Sequence, residues 1–265
     1  MRKLVFFFVA ILILACHGSP VKEKRWTQEK QYLKTVGNVS FTFPGKGYAY
    51  DNRDKFAADC LKAIKSNCAL ISLPSYTDTI TIQFVRDRQE MKKYTGLTAG
   101  GIPMIQPKIV YLVANTDPKD QPPIKHELMH MITMTTWGYP GADSNWMNEG
   151  LAAYAENNCN GFTDEAIYRY LQDKDMLVPM TALTTSFYKQ PEMIAYHQAA
   201  YIVQYLLSHY GVEKLKALWS QGFASFETIY GVSFDKMHTA ISNKARQDYP
   251  KVPAINWESF QEGCL

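Results

Sequence analysis

The 265-residue chain carries little net charge, with 28 lysines and arginines facing 25 aspartates and glutamates. Setting aside Arg2 and Lys3 of the opening segment, the balance is 26 to 25. An electrostatic attraction to nucleic acid or to acidic partners therefore has no basis in this composition. Cysteine is scarce, at five residues, and no pair shows C-x-x-C spacing, which speaks for structural cysteines over a cysteine metal site. There is no internal repeat and no low-complexity tract. The longest apolar run, residues 4–15, has twelve residues, too few to cross a bilayer comfortably. What remains is an ordinary hydrophobic content of 46%, enough at this length for one substantial core or two closely packed halves.

The opening combines Arg2 and Lys3, the apolar run and small turn-forming residues, which is the architecture of a secretion signal. Its end, LILAC, resembles the bacterial lipobox. That resemblance implies a signal peptide over residues 1–15, a lipid on Cys16, and a polar tether over residues 16–35. It also implies a place at the bacterial cell envelope, periplasmic or surface-exposed; an ordinary cleaved signal and an uncleaved anchor are the alternatives. An exported protein keeps disulfides, and Cys60, Cys68, Cys159 and Cys264 allow three pairings. The pairing expected here is Cys60 with Cys68 and Cys159 with Cys264.

Along the rest of the chain, strands precede helices. Residues 38–43 (NVSFTF) alternate, residues 78–87 (DTITIQFVRD) are rich in β-branched side chains, and residues 108–115 (KIVYLVAN) form the best strand pattern. A helix is expected in the segment from 51 to 71 and a short one near residue 90. After Pro122 apolar residues recur at three and four, giving helices over 126–137, 146–157, 163–171, 194–210 and 213–219. This is an α+β pattern: a small mixed sheet, then a mainly helical half. The division expected is an α/β part over 36–120 and a helical part over 121–265.

The chemistry concentrates in HELMH at 126–130 and NWMNEGLAAYAE at 145–156. His126 and His130, four apart on a helix, project from one face, so both imidazoles can grip one zinc ion. Glu127 lies between them as general base. The flanking Leu128, Met129, Met131 and Ile132 make so polar a cluster costly unless a cation pairs it. Glu149 supplies a third ligand from the next helix. Glu156, two turns further on the same face, is expected to accept a hydrogen bond from a ligand histidine. Three protein ligands leave a position for water.

The spacing HExxH, eighteen residues, Glu resembles that of the gluzincin metallopeptidases, in particular the catalytic core of the zinc aminopeptidases and the small domains of the peptidase MA superfamily. WMNEGLAAYAE is similar to their second-helix motif, which covers Trp146, Asn148, Glu149, Gly150, Tyr154 and Glu156. The resemblance spans about residues 98–219 and implies a zincin-like, thermolysin-like fold with one Zn2+ per chain. It implies Asn148 as a further support of the ligands and Tyr196 as donor to the tetrahedral intermediate. Gly100 and Gly101 stand where the family's substrate-holding strand edge runs. Pro103 replaces the family's amine-binding glutamate there, which favours an endopeptidase, or an unusual exopeptidase, acting on a peptide or protein substrate. The other class of reading is a zincin-fold lipoprotein that has lost turnover and acts as a binding module.

Overall fold

A computed structural model of the chain describes residues 30–264. The leader, Cys16 and the first part of the expected tether lie outside the described residues.

Five strands form one sheet in the order β1 (Gln31–Val36), β2 (Val39–Pro44), β3 (Ile80–Val85), β5 (Ile109–Val113) and β4 (Gly101–Met104). The three inner strands are parallel, and β1 and β4 close the two edges antiparallel. The inner strands bury Phe41, Phe43, Ile82, Phe84, Val110 and Leu112 almost completely. These residues alternate along their strands toward one core, which is why the strands were visible in the sequence.

Two expectations need correcting. Residues 31–35, expected in a tether, form the edge strand β1, paired from Gln31↔Pro44 to Val36↔Val39. Most of its side chains are exposed, so it shows no apolar alternation and exists through backbone pairing. The second correction concerns Cys60 and Cys68, which are free and buried. Both sit on the helix Arg53–Leu70. Eight residues of helix separate them by about 12 Å, beyond the reach of about 7 Å that a disulfide allows. The other expected pair, Cys159–Cys264, is bonded.

Helices pack on the sheet, the short helix Arg88–Thr95 against Val85, Tyr111 and Val113 and the longer ones on the opposite face, and continue into the second half. Helix Arg53–Leu70 packs on the motif helix, Ile124–Thr136, which buries Leu128, Met129, Met131 and Ile132. The glutamate helix, Asn145–Glu156, follows a loop closed by the Gly141 N–H to Trp219 carbonyl bond and the Trp219 indole to Gly138 carbonyl bond, both 3.0 Å. Its most extensive partner is the tyrosine helix, Glu192–Tyr210. Gly150 permits that approach, since a Cβ there would lie 2.7 Å from the Ala199 carbonyl carbon and oxygen. Among the described residues no helix is long and apolar enough to cross a membrane.

Candidate metal centre and cleft

The motif helix and the glutamate helix bring three donor atoms together. His126 Nε2 and His130 Nε2 are 3.1 Å apart, and Glu149 Oε2 lies 3.4 Å from each. Ligands at about 2.0–2.1 Å from a tetrahedral ion are separated by about 3.3–3.4 Å, so this triangle fits the face of a zinc-sized coordination sphere. Helical spacing explains the pair of imidazoles, and the turn through Gly138 and Gly141 delivers the carboxylate opposite them.

Hydrogen bonds orient two of these ligands. Once Nε2 of His130 faces the donor triangle, Nδ1 carries the proton and donates to Asn148 Oδ1 at 2.8 Å. The spare oxygen of Glu149, Oε1, accepts from the Tyr188 hydroxyl at 2.9 Å. Burial alone would raise the Glu149 pKa, but the two imidazoles reverse this and hold its carboxyl far below the usual range. Burial pushes the Glu127 carboxyl up, opposed by His126 and then His130. The two carboxyls are thus shifted in opposite directions, Glu149 down and Glu127 up.

β4 lies directly over Glu127. A Cβ on Gly101 would fall 2.4 Å from Glu127 Cγ, so the space beneath the edge strand belongs to that side chain. Gly101→Ala should therefore displace Glu127 or lift β4. We expect a loss of about 1–3 kcal/mol of stability together with a fall in turnover, read by denaturant titration and by kcat. Unchanged stability and kcat would show that the strand edge yields freely.

Gly100, Gly101, His126, Glu127, His130, Asn148, Glu149, Glu156 and Tyr196 all line one cleft of about 860 Å³. Tyr196 stands beside the donor triangle, its ring nearly parallel to His126 at 6.4 Å and tilted against Phe187 at 5.1 Å. Burial raises its pKa, and the nearby Glu149 carboxylate adds to that, so the hydroxyl stays protonated. Glu156 is the correction here: among the described residues it accepts no hydrogen bond from His126 or His130, and its Oε2 is buried without a partner. Seven helical residues carry it about 10 Å along the axis from Glu149, whereas Asn148 is that residue's neighbour.

Two partners were missed in the sequence. Tyr188 lies in a short 3-10 turn, Phe187–Lys189, with no periodicity to mark it; the only signal was an adjacent pair of aromatics in a polar stretch. His197 is 7% exposed and its Nδ1 bonds Asp164 Oδ1 at 2.7 Å. Its position on an apolar helix called for a buried partner, but Asp164 stands 33 residues away.

A model of the peptidase MA superfamily matches residues 78–242, more than half of the chain. The chain belongs to the peptidase MA superfamily. Its α+β, zincin-like architecture and the His126, His130 and Glu149 cluster agree with that membership. Among solved structures, an aminopeptidase N family protein from Idiomarina loihiensis is similar at 14% identity and a TM-score of 0.40. That similarity covers 88% of this chain and 46% of the other, so this superfamily member spans less than half of that protein's length. No curated protein matches significantly.

Within this peptidase MA domain, the Tyr188 hydroxyl holds the carboxylate whose other oxygen faces the imidazoles. Tyr188→Phe should lower metal affinity about 10- to 100-fold, measured by competition with a chromophoric chelator. An unchanged affinity would assign the hydroxyl no part in ordering Glu149.

Proposed function

We propose that the protein is a zinc-dependent peptidase, an endopeptidase anchored at the bacterial cell envelope. The observation that carries the reading is the donor triangle of 3.1 and 3.4 Å with the buried carboxylate of Glu127 beside it, in one cleft. His126, His130 and Glu149 would hold the ion; when bound, it supplies Lewis acidity toward the scissile carbonyl and acidifies a water. The protein's own residues do the remaining work. Glu127 takes the proton from the attacking water and delivers it to the leaving nitrogen. The Tyr196 hydroxyl, kept protonated, donates toward the oxygen on which charge develops. Edge strand β4, with Gly100 and Gly101 lining the cleft, offers its backbone to an extended peptide.

The endopeptidase reading rests on Pro103, which puts no carboxylate at the place where the aminopeptidases bind a free amine. The envelope location rests on the leader and Cys16 alone, both outside the described residues. One preparation tests these points together. Protein extracted from membranes is analysed for an acyl chain on Cys16, for bound metal, and for cleavage of a mixed peptide library. We expect an acylated terminus, one zinc per chain and internal cleavage that chelation abolishes and zinc restores. Metal bound without any cleavage would make the protein a binding module instead.

A further inference from the structure

Although the chain as a whole is nearly neutral, its cleft is not. Glu127, Glu149, Glu156, Asp164 and Glu192 line it against a single guanidinium, Arg88. Arg88 is itself engaged by Asp120 Oδ1 at 2.7 Å and the Lys119 carbonyl at 3.3 Å. Glu127 and Glu149 serve the proposed hydrolysis, and the remaining acidity has no role in it.

Two of these side chains are incompletely bonded in a way that points to a ligand. Asp164 is 1% exposed, and while Oδ1 takes the His197 bond, Oδ2 has no hydrogen-bond partner among the described residues. Glu156 likewise buries Oε2 without a partner. A carboxylate oxygen shut away from water and left without a donor is strongly unfavourable unless something donates to it. The setting of Glu156 adds to the negative potential. Glu156 is the last residue of the glutamate helix, which ends in left-handed Asn157, and the carbonyl end of a helix attracts positive charge. Asp164 opens the next helix, Asp164–Asp173, after a short turn, so the two carboxylates stand on neighbouring helix ends.

We infer that Glu156 and Asp164 form a subsite for a positively charged nitrogen of the substrate, placed in the same cleft as the donor triangle. An ammonium brings three donors and no acceptor, which matches what these oxygens lack. The subsite makes the protein selective for cationic peptides and rests on the peptidase reading for its substrate class. Two sources offer the same chemistry: a free amino terminus and a lysine side chain.

The test measures binding apart from cleavage. Zinc-loaded Glu127→Gln protein is titrated with four fluorescent peptides of one length, carrying lysine or norleucine and a free or acetylated amino terminus. We expect removal of one of the two charges to weaken binding about 10-fold or more, and that arm identifies the source. Adding Glu156→Gln should shrink the difference to about threefold or less, with circular dichroism confirming the fold. Glu156 is the variant of choice because Asp164→Asn, at a buried ion pair, risks unfolding. Equal affinity for all four peptides, no binding of any, or full discrimination surviving Glu156→Gln would overturn the subsite. Charge-dependent binding by a wild type that cleaves nothing would keep the subsite and remove the peptidase reading, so the two failures are separable.

Discussion

Glu127→Gln should leave a folded protein that still takes up its metal and hydrolyses peptides about 10²- to 10⁴-fold more slowly. Glutamine has the shape of the side chain that fills the space beneath Gly101, so β4 and the motif helix keep their separation. It cannot accept a proton from water. The ligands His126, His130 and Glu149 are untouched, and metal content should stay at one equivalent. Stability separates a chemical loss from a structural one. Because burial raises the Glu127 pKa, the ionised carboxylate is an unfavourable occupant of the metal-free site, and a neutral isostere should not lower the thermal midpoint of the apoprotein. The measurement is kcat/KM with metal content and melting temperature on one preparation. An unchanged rate would remove Glu127 from the chemistry; a lost fold would leave its role to be tested by Glu127→Asp, which retains the charge but withdraws it.

The same site shows how far residue patterns reach. His126, Glu127 and His130 were legible because helical periodicity fixes their relative positions, and Glu149 was legible because only a second apolar helix with a buried acid answers two buried imidazoles. The inner strands were legible because apolar residues alternate toward the core along β2 and β3, and β5 is buried on both faces. Asn148 Oδ1, not Glu156, meets His130, since a hydrogen bond depends on axial distance along a helix as well as on its face. Tyr188 reaches Glu149 from 39 residues away through a turn with no periodic signature. β1 escaped notice because an exposed edge strand has no apolar alternation to display. In each case the missing information was tertiary: which surfaces meet, and at what height.

Exchanging Cys159 and Cys264 together for alanine should cost about 4–5 kcal/mol of unfolding free energy. The bond links residues 105 apart. Closing a loop of that length removes chain entropy from the unfolded state worth about 4.7 kcal/mol on the loop-entropy model. The end of the chain is also held by Phe260, 3% exposed against Ile167, Tyr170 and Leu171, and by the Asn160 Nδ2 to Gly263 carbonyl bond of 3.0 Å. Those contacts survive in the variant, so its native state should retain the cleft wall that Gly263 and Cys264 form. The two origins of the loss differ in what they predict for the wild type. If loop entropy dominates, reducing the bond with a dithiol gives the same fall in stability without any cavity. If the hole left by two truncated side chains dominates, the reduced wild type stays near its original stability while the double alanine variant falls. Denaturant titration of oxidised wild type, reduced wild type and Cys159→Ala/Cys264→Ala distinguishes them, and a reduced wild type within about 1 kcal/mol of the oxidised one would defeat the entropic account.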